Sequence, residues 1–148
     1  SESNKEQTEK FEFNDLIKNT ITKFDNNLIT FNEGEKFFFN GRKLSIQRCL
    51  NNLIENSTKF ANKIEIKFQK LKSNILIYIE DDGPGIPIQE RENVFKPFYK
   101  IDKSRSQNSS SVGLGLSIAS DIIRSHGGKI ELGDSKFGGL KVLISLPF

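Results

Sequence analysis

The spacing of apolar residues predicts a chain in which helices and strands intermix. Apolar side chains recur every three or four positions in residues 14–24, 44–60 and 114–126, the spacing of a helix with one buried face. Shorter apolar segments, some of which alternate with polar residues, predict strands at residues 28–31, 36–39, 64–68, 75–79, 129–132 and 140–146. We therefore expect an α/β fold: a two-layer sandwich in which a mixed, mostly antiparallel sheet of about five strands packs on about three helices.

Turn-forming residues separate these elements. Asn40-Gly41, residues 71–74 and Gly138-Gly139 predict turns, and Gly127-Gly128 predicts the end of the third helix. Asn14 or Asp15 is expected to cap the first helix. A short helix is expected at residues 88–95, and a polar, serine-rich stretch without periodicity follows at residues 100–111.

Composition narrows the class of protein. The 148 residues suffice for one domain with a sizeable core, expected at residues 11–148, with residues 1–10 as a frayed linker from an upstream domain. The chain has no apolar run of about 18 residues, so we expect no membrane span, and its polar first residues lead us to expect no signal peptide. Its net charge of +3 is too small to indicate a nucleic-acid partner. Because methionine is absent, we expect a piece of a longer protein; the single cysteine, Cys49, is expected in the core.

Polar side chains flank the apolar stripe of the second helix. Asn52, Asn56 and Lys59 fall within one sector of about 60° at 3.6 residues per turn. They form either a solvated helix side or a set of amide oxygens and one ammonium group suited to a magnesium–phosphate complex.

The segment Asp81-Asp82-Gly83-Pro84-Gly85 directly follows a predicted strand. A carboxylate at this position can accept a hydrogen bond from the 6-amino group of adenine, whereas the carbonyl oxygen of guanine would face it as a second acceptor. Gly83 and Gly85 would let the backbone approach the base closely. The alternative is an acidic, solvent-exposed turn in which Asp81 caps its own backbone.

A basic segment precedes two glycines at the start of the third helix. Lys96, Lys100, Lys103 and Arg105 lie in one polar stretch, and Gly113 and Gly115 follow where it enters the helix. Backbone N–H groups at a helix start suit phosphate oxygens, so the stretch is expected to be a mobile lid over a charged ligand. The alternative is a surface loop with solvated lysines.

In chain order, these motifs resemble the catalytic ATP-binding domain of sensor histidine kinases, over residues 11–148. That family shares its ATPase fold with gyrase, a heat-shock chaperone and mismatch-repair ATPases. Its asparagine, first glycine, phenylalanine and second glycine boxes are similar to residues 52–60, 81–85, 94–99 and 111–116, and its C-terminal signature is similar to Gly138-Gly139 with Leu146-Pro147.

The resemblance implies roles for particular residues. Asn56, assisted by Asn52, would bind Mg²⁺, and Asp81 would bind the adenine amine. The phosphates and the transition state would be contacted by Asn52, Lys59, Lys100 and Arg105, and Phe60 would pack near the base. Further nucleotide contacts are expected from Gly83, Gly85, Ile86, Val112, Gly113, Leu114, Gly115 and Leu116. The sequence departs from the family at Ser111, where a third glycine is usual, and at Lys100, where arginine is frequent.

The resemblance also implies an activity and partners. The domain would bind ATP and Mg²⁺ and donate the γ-phosphate to a histidine on its own, separate dimerisation and phosphoacceptor domain, upstream in a homodimer. A response regulator receiver domain would be the next partner, with no nucleic acid and no membrane contact by this part. Its expected location is the cytoplasm, with the full-length protein anchored in the inner membrane.

Two residues bear on the reaction. Asn52 stands where gyrase and the chaperone carry a glutamate that activates water, and an amide cannot act as that base, so little hydrolysis is expected. His126 lacks the context of a phosphoacceptor and is expected to be a favourable partner of a helix dipole. The alternatives are a regulatory or pseudokinase module that binds ATP without transfer, and an anti-sigma-factor-type serine kinase of the same fold.

Overall fold

The computed structural model describes residues 6–99 and 112–148, the latter with side chains from Leu116 onward. Seven strands and three α-helices fall in these ranges: β1 (Glu9–Glu12), α1 (Phe13–Ile21), β2 (Ile29–Asn32), β3 (Phe38–Gly41), α2 (Lys43–Phe60), β4 (Ile64–Lys70), β5 (Asn74–Asp81), α3 (Val112–Ser125), β6 (Lys129–Asp134) and β7 (Leu140–Pro147). The predicted lid, residues 100–111, lies outside the described residues.

Five strands form one mixed sheet in the order β2-β4-β5-β7-β6. β2 pairs with β4 in parallel, and the other neighbours are antiparallel. Ile66, Ile79 and Val142 are partners in register across three strands, and all are buried. These alternating positions make one face of the sheet apolar, and the three helices lie on that side, which confirms the predicted fold class.

A second, two-stranded sheet was not predicted. β1 pairs with β3 in antiparallel register, with Phe11 opposite Phe39 and both rings buried. The turn predicted at Asn40-Gly41 is wrong because both residues are strand residues of β3. Part of the segment expected to be a frayed linker is therefore paired.

The cap of α1 also differs from the prediction. Glu12 is the capping residue, and its carboxylate accepts from the backbone N–H groups of Asn14 and Asp15. Asn14 is buried instead, and its side-chain amide exchanges two hydrogen bonds of 3.0 Å with the backbone of Gly34. Asn14 therefore joins α1 to the loop before β3 rather than starting the helix.

The two long helices are those predicted, and they pack against each other. Cys49 of α2 is fully buried with its sulfur 3.8 Å from the carbonyl oxygen of Ala119 on α3, and burial raises the pKa of the thiol to about 12. Arg42, the residue before α2, donates to the carbonyl and the hydroxyl of Ser125 at the end of α3. The helices are therefore antiparallel. The expected short helix at residues 88–95 is two single 3₁₀ turns, Ile88–Glu90 and Asn93–Phe95.

Within the described ranges, no helix is both long enough and apolar enough to cross a lipid bilayer.

Candidate functional site

Asp81 is the last residue of β5, and its carboxylate is buried and oriented by three donors. Oδ1 accepts from the backbone N–H groups of Gly83 at 2.9 Å and Leu140 at 3.0 Å, and Oδ2 accepts from the hydroxyl of Ser57 at 3.0 Å. Asp81 is only 5% exposed, so the alternative of a solvent-exposed turn is wrong. Its bond to Gly83 is nevertheless the local capping contact that this alternative included.

Backbone surrounds this carboxylate closely. A Cβ on Gly83 would lie 3.3 Å from the carbonyl oxygen of Phe60 at the end of α2, and one on Gly85 would lie 3.5 Å from the backbone of Gly139. Gly85 has φ +71°, a conformation that side chains disfavour. The glycine turn after β5 therefore lies between the end of α2 and the β6–β7 connection.

The next residue, Asp82, has a different structural role. Asp82 is exposed, and its Oδ1 accepts from the backbone N–H groups of Asn62 at 2.8 Å and Lys63 at 3.0 Å. Asp82 therefore fastens the link between α2 and β4, while Asp81 faces inward.

The C-terminal end of α2 contacts Asp81 through the hydroxyl of Ser57. Because α2 is continuous from Lys43 to Phe60, the side chains of Asn52, Asn56 and Lys59 share one side of this helix. The two asparagines are half-buried, whereas Lys59 and Phe60 are exposed. The amides therefore flank the core, as the spacing predicted.

The start of α3 lies toward the same end of α2. The helices are antiparallel, so the first turn of α3 points toward the end of α2 that carries Asn56. Val112, Gly113, Leu114 and Gly115 form this turn, and Leu116 after it is buried. Lys100, Arg105 and Ser111 lie outside the described residues.

Arg91 is a residue whose role the sequence did not indicate. Its Nε donates to the carbonyl oxygen of Ile86 at 2.8 Å, and its Nη2 lies 2.6 Å from Oδ1 of Asp134 at the end of β6. Ile86, the residue after the glycine turn, is buried. Arg91 therefore fixes the chain that leaves the turn. No local pattern predicts this, because its acidic partner lies 43 residues away.

Residues 94–99, which resemble the phenylalanine box, contain one buried and one highly exposed apolar residue. Val94 is fully buried, whereas Phe98 is 77% exposed and has φ +64°. The Tyr99 hydroxyl donates to Glu90, and this contact raises the pKa of the tyrosine. This segment ends where the described residues stop.

His126 follows the last residue of α3, where it was predicted to be a favourable partner of the helix dipole. Its Nε2 accepts from the backbone N–H of Arg42 at 3.1 Å, and its Nδ1 is 2.9 Å from the carbonyl oxygen of Ile122. Burial lowers the pKa of His126, and the Arg42 charge lowers it further. The Nδ1 contact with one of the last carbonyl oxygens of α3 is the favourable helix-end contact expected of His126. Because Nε2 accepts from a backbone N–H, the ring makes this contact without a positive charge.

The donor set fits a nucleotide with a phosphate-bound cation better than a protein-only metal site. In residues 6–99 and 112–148, no three histidine, cysteine, aspartate or glutamate side chains gather as metal ligands. The candidate site offers a buried carboxylate at the end of β5 and neutral amides along α2, a set of groups suited to a nucleotide base and to a magnesium ion that keeps phosphate and water ligands.

Comparisons with known proteins agree with this geometry. The family described as histidine kinase-, DNA gyrase B- and HSP90-like ATPase matches residues 41–148. The sensor histidine kinase CpxA of Escherichia coli K12 is 38% identical over 108 residues, which are 72% of this chain and 24% of CpxA. The chain thus spans about a quarter of this relative.

Solved structures of histidine kinase domains share the fold. The nucleotide-free catalytic domain of the histidine kinase ThkA has a TM-score of 0.81 at 26% identity, with 95% of each chain covered. The histidine kinase domain of the Escherichia coli osmosensor EnvZ has a TM-score of 0.71 at 30% identity and covers 94% of this chain and 88% of its own. This chain belongs to the histidine kinase-, DNA gyrase B- and HSP90-like ATPase family, as a domain of the type found in sensor histidine kinases.

Proposed function

We propose that this chain binds Mg-ATP and donates the γ-phosphate to a histidine on a separate dimerisation and phosphoacceptor domain, in two-component signal transduction. The observation that carries the proposal is the Asp81 carboxylate. It is buried and fixed, and Oδ1 already accepts two backbone N–H groups. Oδ2 has one partner in the described part of the chain, Ser57, so an acceptor direction remains for the adenine amine.

The phosphates and the cation would lie along α2. Asn56 would hold Mg²⁺ with help from Asn52, and these neutral amides add no negative charge beside a triphosphate. The ion would neutralise phosphate charge as transfer proceeds. Lys59 would contact the phosphates as a point charge, with Lys100 and Arg105 from the basic stretch. Phe60 would pack near the base, and the N–H groups in the first turn of α3 would face phosphate oxygens.

The acceptor would be outside this chain. A neutral, half-buried His126 whose Nε2 accepts from Arg42 is poorly available to a phosphoryl group. With Asn52 in place of a water-activating glutamate, bound ATP would be kept for a partner rather than hydrolysed. The partners proposed are the protein's own phosphoacceptor domain in a homodimer and the receiver domain of a response regulator. The proposed location is the cytoplasm, with the complete protein held in the inner membrane.

Asp81→Asn tests the nucleotide site. The amide oxygen can keep the two backbone bonds and the amide nitrogen can donate to Ser57, so the fold should survive. The adenine amine would then face a donor. We expect ATP affinity, measured by calorimetry with Mg²⁺, to fall at least about tenfold. Asp82→Asn is the matched control and should leave the affinity within about twofold, because among the described residues its carboxylate bonds to the α2–β4 link.

Unchanged ATP affinity in Asp81→Asn would contradict the adenine assignment. Equal ATP binding by the wild type with and without Mg²⁺ would remove the metal role of Asn56. Circular dichroism of each variant separates loss of binding from loss of fold.

A labelling experiment separates the proposed transfer from the alternatives. The chain is mixed with a separately produced phosphoacceptor domain and γ-labelled ATP, and the labelled amino acid is identified. Phosphohistidine supports the proposal. Phosphoserine would indicate a serine kinase, and no label despite ATP binding would indicate a regulatory module.

A further inference from the structure

Ser57 stands out because the sequence places it with the core, whereas the structure places its hydroxyl at the candidate site. It follows the apolar spacing of α2, and it is 6% exposed. Its Oγ is 3.0 Å from Oδ2 of Asp81, the oxygen that does not accept the backbone N–H groups. A hydroxyl within a helix can instead bond to the carbonyl one turn earlier, so donation to Asp81 is a specific use of it.

We propose that Ser57 is a positioning residue for base selection: its hydroxyl fixes Oδ2 of Asp81 so that the remaining acceptor direction meets the 6-amino group of the nucleotide. The inference rests on the proposed ATP-binding function and deepens it.

The two carboxylate oxygens of Asp81 have different hydrogen-bond partners. The backbone N–H groups of Gly83 and Leu140 hold Oδ1 and restrain rotation of the carboxylate about the Cβ–Cγ bond from that oxygen. Ser57 restrains the same rotation from the other oxygen. Its hydroxyl also occupies one acceptor direction of Oδ2, so that the acceptor direction left on Oδ2 is defined. A buried acceptor that is correctly aimed discriminates between ligands that do and do not carry the matching donor.

Ser57 could orient Asp81 for the base, or it could only stabilise the packing of α2 on β5. The affinities of two nucleotides distinguish these roles. ATP carries the 6-amino group, and the triphosphate of purine riboside has the same ring without it. If Ser57 only joins α2 to β5, Ser57→Ala weakens both nucleotides equally. If Ser57 aims Asp81, the variant weakens ATP and leaves the purine riboside triphosphate nearly unchanged.

The experiment measures both dissociation constants by calorimetry in Mg²⁺ for the wild type and Ser57→Ala. We expect ATP affinity to fall about five- to tenfold in Ser57→Ala, while affinity for purine riboside triphosphate stays within about twofold. Ser57→Thr, which keeps the hydroxyl, should restore most of the preference for ATP.

Ser45→Ala is the matched control. Ser45 is also buried on α2, and its hydroxyl also donates to a carboxylate, Oε1 of Glu6 at 2.7 Å, but at the other end of the helix. It should leave both affinities unchanged. If Ser57→Thr is poorly folded by circular dichroism, the ratio of the two nucleotides in Ser57→Ala still decides.

The possible results separate the role of Ser57 from the adenine-binding role of Asp81. A wild type that binds ATP no better than purine riboside triphosphate overturns the adenine role of Asp81 and the inference with it. A wild type that prefers ATP, with the same preference in Ser57→Ala, overturns the role of Ser57 alone and leaves the proposed function standing.

Discussion

At the scale of single residues, Gly139 shows how little room the Asp81 carboxylate has. A Cβ on Gly139 would lie 2.5 Å from the backbone nitrogen of Gly83 and the carbonyl oxygen of Asp81, and closer still to Oδ1. These neighbours are backbone atoms and a carboxylate held by three hydrogen bonds, so they cannot move aside independently. The β6–β7 connection is therefore one wall of the candidate site as well as a turn.

Gly139→Ala should disturb stability and binding together. We expect the free energy of unfolding, measured by urea denaturation, to fall by about 1–3 kcal/mol, since an atom is forced into a packed site. ATP affinity should fall too. Gly133→Ala is the control, because a Cβ there would meet only the flexible end of Lys141 at 3.3 Å. Equal stability of the two variants would contradict the tight approach of Gly139.

Local sequence patterns indicated Asp81 as a candidate site residue, but they did not indicate the residues that orient its carboxylate. A carboxylate directly after a strand and before two glycines is a local signal. Ser57 carried no such signal, because serine fits an apolar stripe at helical spacing and its hydroxyl reaches β5 only through the packing of α2 on the sheet. Arg91 was missed for the same reason, since its contacts join segments far apart in the chain.

At the scale of secondary-structure elements, the start of α2 depends on a distant residue. Arg42, at the N-cap position, makes no side-chain capping bond. Glu6 takes this role: its carboxylate accepts from the backbone N–H groups of Leu44 at 2.7 Å and Ser45 at 3.1 Å. A carboxylate at a helix N-terminus also interacts favourably with the helix dipole. The segment before β1 is thus attached to the helix that carries Asn52 and Asn56.

Removing this carboxylate should loosen α2. For Glu6→Ala we expect a loss of about 0.5–2 kcal/mol in the free energy of unfolding, the usual cost of a lost cap. Thermal and urea unfolding measure it. Glu9→Ala, at an exposed position of β1, serves as the control and should cost less. A Glu6→Ala protein as stable as the wild type would show that solvent replaces the cap at no cost.

The long helices and strands could be predicted from their periodicity. A short strand whose partner lies far away in the sequence could not. α2 and β4 each have enough residues to repeat their period, and their predicted positions agree with the structure. β1 has four residues, and its partner β3 lies after α1 and β2. Nothing within Glu9–Glu12 itself shows that a partner exists, so the segment looks like a polar tail until the pairing is known.

At the scale of the whole molecule, three distant parts of the chain meet opposite the candidate site. His126 and Ser125 at the end of α3 bond to Arg42 before α2, and Glu6 binds the first turn of α2 beside them. The antiparallel helices are therefore joined at this end, while their other ends carry Asn56 and the glycines of α3. The junction therefore holds α2 and α3 together at the end away from the candidate site.

The protonation of His126 follows from its partners. The carbonyl oxygen of Ile122 can only accept, so Nδ1 carries the hydrogen, and the N–H of Arg42 can only donate, so Nε2 must be unprotonated. A proton on Nε2 would face the Arg42 N–H and break the contact. Burial, the largest cause, and the Arg42 charge lower the pKa of His126 below its ordinary 6.5, against opposing contributions from the Ile122 carbonyl and Glu6.

Stability should consequently fall in mild acid. Just below pH 6.5 the unfolded chain binds a proton at this residue and the folded chain does not, so the stabilisation by neutral His126 is complete above that pH and is lost as pH decreases toward the folded pKa. Urea unfolding of the wild type and His126→Gln from about pH 7.5 to about pH 5 tests this, because carboxylates titrate alike in both proteins. We expect the wild type to lose more stability than the variant over this range. Parallel curves would mean that His126 binds its proton equally in both states, and the junction would then not depend on a neutral ring.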